Sequence, residues 1–285
     1  MGSIALPFDP NTDGRHDRQI RSMLPEGLRE ACEEHSFLAD YVHSLPVDEI
    51  GVPDYYPKLT YKLKELAERN LIYAINEGLF VHIFPQPTKE RDLYIPIEPD
   101  TVLDIDDLKA EVEMELLEWA EEIGSAEDDE EKKEKLLEAV DEIVSLNGSR
   151  RKIKVAAEEY EALKYAIARD KVGYEVLAPL LLDPYIEDIS CAGIGHIFVE
   201  HKMFKSLQAA IVFPTEEELD RFVIFLGQWV EKPVTVRNPI VDATLPDGSR
   251  INIVYGSDVS KRGSNFTIRK FAGTPPSIFQ LIEWG

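Results

Sequence analysis

Apolar positions along this chain follow two rhythms. LIYAI (residues 71–75) and LFVHIF (79–84) flank Asn76-Glu-Gly78, which predicts two strands joined by a glycine turn. LYIPI (93–97) predicts a third strand, at a sheet edge because Pro96 has no N–H to give a ladder. Beyond it the spacing lengthens to three or four. Ile105, Leu108, Val112, Leu116, Ala120 and Ile123 form one stripe, Leu136, Val140 and Ile143 a second, and Ala156, Tyr160, Leu163 and Ile167 a third. Three helices are predicted. GSAEDDEE (124–131) breaks the first from the second and Asn147-Gly148-Ser149 the second from the third.

Around Lys171-Val-Gly173 the rhythm shortens again. A short apolar helix at 177–182 is stopped by Asp183-Pro184, and strands are expected at 186–190, 197–200 and 207–213. Thr215-Glu-Glu-Glu218 is a capping box opening a helix with Leu219, Phe222, Val223, Leu226 and Val230 on one face. Strands at 240–245, 251–255 and 266–271 follow, the first two joined through Leu245-Pro-Asp-Gly248, with proline and glycine where a turn wants them. The fold class expected is α+β. Its parts are an N-terminal arm over 1–25, an acidic, mainly helical domain with a β-hairpin over 26–172, an antiparallel-sheet domain over 173–272, and a hinge with the start of a helix over 273–285.

Charge divides the chain as sharply as hydropathy does. The net charge is −23, which weighs against nucleic acid as a partner. Residues 104–142 hold 18 acidic and 4 basic side chains, whereas residues 232–271 hold 7 basic and 3 acidic. The helix carboxylates fall mainly opposite the apolar stripes, as a solvated face or as a docking face for a basic partner. No apolar run approaches the roughly 18 residues that would span a bilayer, and no signal-peptide pattern opens the chain, so the cytoplasm is expected. Cys32 and Cys191 are too few for a disulfide framework or a zinc site. The six histidines show no helical pair with acid support, so no metal site is proposed, and His82 in its apolar strand reads as structural.

The basic island carries the candidate chemistry. Alternation puts Arg250, Asn252 and Val254 on one strand face, opposite Ile251, Ile253 and Tyr255. It likewise groups Thr267, Arg269 and Phe271 opposite Phe266, Ile268 and Lys270. If these strands pair, Arg250 and Arg269 converge, with Lys261 and Arg262 on the loop between them and Arg237 before the hairpin. Guanidinium forks match carboxylate and phosphate. The plainer alternative is a charged, solvated sheet face, or pairing with Asp242 and Asp258. No P-loop, dinucleotide fingerprint, HExxH or G-x-S-x-G occurs, so no catalytic residue is assigned and ATP hydrolysis by this stretch alone is not expected.

Four segments, in order, carry a family resemblance: DPYIEDISCAGIGHIFVEH, TEEELDRFVIFLGQWV, VDATLPDGSRINIVYG and FTIRKF. They resemble the N-terminal half of the secretion ATPases that power type II and type IV secretion, type IV pili and the archaellum, archaeal GspE-type members above all. The likeness covers residues 174–285, and NLIYAINEGLFVHIF extends it more loosely toward the N-terminus. It implies a two-part N-terminal region whose second part is PAS-like, ahead of a RecA-like motor carrying the P-loop. It further implies hexamers at the cytoplasmic membrane face, ATP with Mg2+ held by the motor, and arginines reaching the terminal phosphate. The matching positions are Arg250 and Arg269, with Arg237 and Arg262 as further candidates. Partners implied are the chain's own motor domain, other copies of the chain, and an inner-membrane platform or pilus-assembly protein. Because the P-loop and acidic metal-binding boxes are missing, the chain reads as a piece ending just past a hinge at Gly273-Thr-Pro-Pro-Ser277, a sensor and lid whose parent hydrolyses ATP. Two rivals stand beside this reading. One is an interaction module whose acidic helices dock a basic assembly protein. The other is a small-ligand sensor, which would need an apolar cavity where Phe198, Phe222 and Phe266 are expected to fill the space.

Overall fold

A computed structural model describes residues 2–10, 22–76, 78–86, 88–145 and 153–271. His16, the break at Asn147 to Ser149, and the hinge and helix expected over 273–285 lie outside the described residues. Strands are β1 (Ser3–Ile4), β2 (Asp54–Tyr56), β3 (Leu71–Asn76), β4 (Leu79–Phe84), β5 (Leu93–Ile97), β6 (Val144–Ser145), β7 (Ile153–Lys154), β8 (Ile186–Cys191), β9 (Gly195–His201), β10 (Lys205–Phe213), β11 (Ile240–Thr244), β12 (Arg250–Val254) and β13 (Asn265–Arg269). Among the described residues eleven of them form one mixed sheet, ordered β11-β12-β13-β8-β9-β10-β5-β4-β3-β2, with β1 beside β10. The fold is α+β, as the apolar rhythms indicate.

Strand β10 joins strands from either side of residues 171–173: it runs antiparallel to β9 and parallel to β5, where Gln208 faces Leu93 and Ala209 faces Tyr94. The third strand is therefore interior, not the edge that Pro96 suggested. The β10 ladder stops at Tyr94, so Pro96 lies beyond it and its missing N–H costs no bond there. The segment expected as a free arm is also partly structural. Ser3 and Ile4 pair with Val212 and Ile211, and Phe8 stacks on Phe84 at 5.9 Å between ring centres.

Each sheet face is covered over a different stretch. Helix α1 (Glu26–Glu34) and α2 (Ser36–Ser44) bury Leu28, Leu38, Tyr41 and Val42 against Ile72, Phe80, Ile95 and Ala210 on one face. On the opposite face α8 (Glu216–Trp229) lays Leu219, Phe222, Val223 and Leu226 over Ile189, Ile251, Ile253, Phe266 and Ile268. Thr215 caps α8, accepting from the Glu218 amide at 3.2 Å. Phe222 touches Phe213 and Phe266 with ring centres 5.0 and 5.6 Å apart, so these rings fill the space under α8. Burying one such ring stabilises the layer by about 1.5–3 kcal/mol. Phe198 is on the other face, where the Arg91 guanidinium lies 5.3 Å from its ring centre.

The acidic helices build their own core. α3 (Asp106–Glu115) passes through a 3-10 turn (Leu116–Trp119) into α4 (Ala120–Gly124), so the single expected helix is tightened midway. α5 (Asp129–Ile143) and α6 (Ala157–Lys171) close over it, burying Val112, Leu116, Leu136, Val140, Leu163 and Ile167 together. Asp128 caps α5 through the Glu131 amide at 2.8 Å. No helix among the described residues is long and apolar enough to cross a membrane.

Candidate functional site

The turn between β11 and β12 sets the first arginine. Leu245 donates to the Ser249 carbonyl at 2.7 Å and Gly248 to the Leu245 carbonyl at 2.9 Å, while the Asp247 carboxylate accepts from the Ser249 amide at 2.9 Å. Gly248 takes φ +87, a conformation that favours glycine, and a side chain there would meet the Phe271 ring at 3.4 Å. The chain leaves this turn directly into Arg250. Ile251 and Ile253 are fully buried beneath it, so Arg250 and Asn252 point to solvent.

Strands β12 and β13 pair antiparallel with Arg250 directly opposite Arg269. Opposed side chains on one face have Cβ atoms about 4.5–5.5 Å apart, so two like charges sit as close cross-strand neighbours. β13 in turn pairs with β8, which places Asp188 opposite Arg269. The Arg269 Nε donates to the Asp188 carboxylate at 2.9 Å, and this bond holds the guanidinium above its ordinary pKa. Arg269 is nonetheless 78% exposed, so water screens the pair. Arg250 has no carboxylate partner among the described residues. Neither Asp242 nor Asp258 takes the role that sequence distance suggested. Asp188 does, from 81 residues away. Alternation puts it on the outer face, but only the β13–β8 register names its partner.

The remaining arginines lie elsewhere. Arg262 is exposed in the loop after β12, and its carbonyl packs so closely on Gly193 that a Cβ there would meet it at 2.6 Å. Arg237 precedes β11, whose Ile240 pairs with Val254. Both therefore sit at the Val254 end of the strands, about 14 Å from the Arg250 end at the usual rise per residue. The structure joins Arg250 with Arg269 and separates them from Arg237 and Arg262.

Behind the pair runs a buried polar chain that sequence reading did not single out. Lys270 turns to the covered face, where its amine donates to the carbonyls of Leu180 and Asp183 at the end of α7 (Ala178–Leu182). Burial pushes its pKa down to about 8. The Asp183 carboxylate is fully buried and accepts from the Tyr73 hydroxyl at 2.5 Å, the Tyr94 hydroxyl at 3.0 Å and the Tyr185 amide at 2.7 Å. Burial raises its pKa. His201 Nδ1 accepts from the Met203 and Phe204 amides, so its ring proton is on Nε2, 3.3 Å from Tyr73. Burial holds that histidine at about 3, hence neutral. Every polar member has a partner, so the chain fixes where β13 ends, and with it Arg269.

Chemically, the exposed row Arg250, Arg269 and Asp188 can bind and orient an anion. It offers two forks of donors, one of them already held by Asp188, and its makeup suits recognition of charge rather than bond breaking.

No protein-family model matches the chain. It is similar to the uncharacterized protein MJ0900 of Methanocaldococcus jannaschii, with 37% identity over 273 residues covering 90% of this chain and 49% of that one. The uncharacterized protein MJ1288 of the same organism is 44% identical over 99 residues, covering 34% of this chain and 39% of its own length. A third relative there, MJ0781, is 32% identical over 131 residues, or 44% of this chain and 18% of its own. The chain thus spans half or less of the curated relatives it matches. Among solved structures it is similar to the VirB11 ATPase from the Brucella suis type IV secretion system in complex with sulphate. That match has a TM-score of 0.32 and 25% identity and covers 38% of this chain and 32% of the other.

Proposed function

We propose that this chain is the nucleotide-sensing part of a secretion or pilus-assembly ATPase, in which Arg250 and Arg269 close on the terminal phosphate of ATP held with Mg2+ by a motor domain of the longer protein. The observation that carries the reading is the cross-strand pairing of two arginines on one sheet face, with only Arg269 held by a carboxylate among the described residues. Opposed like charges destabilise a strand pair, and a polyanion relieves that repulsion. In water such contacts are weak. In a cleft that excludes water they strengthen, so grip depends on closure over the nucleotide. Loss of the terminal phosphate would release the sheet and let the domain turn, which couples nucleotide state to movement of a membrane-bound assembly. In this reading the protein works as a ring of copies on the cytoplasmic side of the membrane.

The test is ATP turnover by the longer protein carrying Arg250→Ala or Arg269→Ala. Each substitution is expected to lower turnover by at least roughly tenfold, the scale of one charge-assisted hydrogen bond made in the transition state. Arg262→Ala, at the other strand end, is expected to change it little. Unchanged turnover in both Arg250 and Arg269 variants removes them from the mechanism.

A second reading rests on a different surface. Met114 and Leu117 are 72% and 73% exposed on the acidic helices, among Glu111, Glu115, Glu118 and Glu121. An apolar stripe rimmed by glutamates suits a basic amphipathic segment of an assembly protein. Capture of a lysine-rich amphipathic peptide that weakens with salt and with Met114→Ser supports this docking role, and capture indifferent to both discards it.

A further inference from the structure

Two residues beyond the pair of Arg250 and Arg269, the same sheet face carries an exposed aromatic ring. Lys270 prolongs the β13–β8 ladder, its amide donating to the Glu187 carbonyl at 2.8 Å, and it turns its side chain to the covered face. Alternation then sends Phe271 to the open face, beside Arg269. Its ring lies over Gly248, where a Cβ would meet it at 3.4 Å, so the turn that sets Arg250 also seats the ring. Phe271 is nonetheless 63% exposed.

The backbone under this ring is held from both sides. The Phe271 amide donates to Ser249 Oγ at 3.0 Å, and that fully buried hydroxyl donates to the Asp247 carboxylate at 2.7 Å. Lys270 ties the preceding residue to the carbonyls of Leu180 and Asp183. A ring anchored in this way has little freedom left to lose when a ligand settles on it. Apolar side chains scattered singly over a surface are ordinary, and an aromatic laid over a strand glycine can serve as cover alone. Phe271 differs in its neighbours. The two guanidinium groups start about 7 Å along the strands, two residues away at the usual rise. Forks of donors match phosphate and a ring face matches an aromatic base, and a nucleotide carries both in one molecule.

We propose that Phe271 is the platform on which the base of the nucleotide stacks while Arg250 and Arg269 meet its terminal phosphate. The inference rests on the phosphate reading above and adds to it a base-recognising residue supplied by this chain. Stacking uses the π-face that every base has, so the platform selects a nucleotide over an inorganic polyphosphate without choosing sharply among bases.

Calorimetric titration of the longer protein with ATP and, separately, with tripolyphosphate, each with Mg2+, tests the assignment. Phe271→Ala is expected to weaken ATP binding roughly tenfold, the scale of one base stacked on an aromatic side chain, and to leave tripolyphosphate binding unchanged. Phe271→Leu keeps an apolar cover on Gly248 while removing the ring, and it carries the same expectation should the alanine variant fold poorly. Phe271→Trp is expected to restore ATP affinity, because an indole offers a π-face as a phenyl ring does. Arg250→Ala reads the phosphate contact separately and should weaken both ligands. If it changes neither while the Phe271 variants weaken ATP alone, the base contact stands and the phosphate reading falls. ATP affinity unaltered in the alanine and leucine variants overturns the proposal. So does equal weakening of both ligands, which would mark the ring as cover for Gly248 or as packing against another part of the protein, and so does a loss that tryptophan fails to restore.

Discussion

One face of one sheet is treated in two ways along its width. Over β3, β4 and β5 it lies under α1 and α2, and His82 is fully buried there. Tyr41 donates to its Nδ1 at 2.9 Å, and its Nε2 donates to the Asn70 side-chain Oδ1 at 2.8 Å. Over β12, β13 and β8 no helix among the described residues covers the same face, and it carries Arg250, Arg269 and Asp188. Where these helices exclude water, both ring nitrogens of His82 are committed to partners. Where they do not, charge is left available. The difference teaches that the arginine pair owes its potential use to its exposure as much as to its own chemistry.

The largest expected break of this contrast comes from the layer beneath the arginines. Phe222→Ala should lower stability by about 3–5 kcal/mol in urea unfolding, because a cavity opens under β13. A loss below 1 kcal/mol would mean that the open face does not depend on α8. Tyr41→Phe, on the covered half, should cost about 1–3 kcal/mol by leaving the histidine acceptor dry and unmet.

Acidity sharpens the contrast further. Burial lowers His82 from its ordinary 6.5 to about 3. Between those values the unfolded chain binds a proton that the folded chain refuses, so stability falls as pH falls from 6.5 toward 3. His201 acts with the same sign. Glu98, raised by burial from 4.5 to about 7, acts oppositely: the folded chain keeps a proton that the unfolded chain releases, so its contribution fades as pH rises through 7. His82→Gln should therefore flatten the acid limb of a plot of urea midpoint against pH, and an unaltered limb would show that His82 is not held neutral. The smallest effect belongs to the open half. Asp188→Asn should leave the urea midpoint unchanged while strengthening tripolyphosphate binding, since it frees Arg269. Weaker binding would mean that Asp188 orients the arginine rather than competing for it.

Much of this was legible in the chain. Strict alternation over residues 250–254 identified the arginine face, and the Thr215 capping box located α8 to within a residue. Periodicity found α5 and α6 because each has an apolar stripe to bury. It did not find α1, whose few apolar residues are interleaved with charge, or α2, which is only nine residues long. Pro96 misled for a physical reason, since proline is excluded only where its N–H is needed and the β10 ladder ends before it. Asp188 escaped notice because it belongs to no motif and matters only through a strand register.

By itself the sequence determined which residues turn inward and which outward, because side-chain direction is fixed locally by the pitch of a strand or helix. It also determined where charge accumulates, since that is set by composition alone. Tertiary structure decided which outward residues meet. The pairing of β12 with β13 and of β13 with β8 put Arg250, Arg269 and Asp188 in one row and sent Arg237 and Arg262 to the far end. That choice rests on ladder register and loop closure between residues far apart in the chain, which no local pattern encodes.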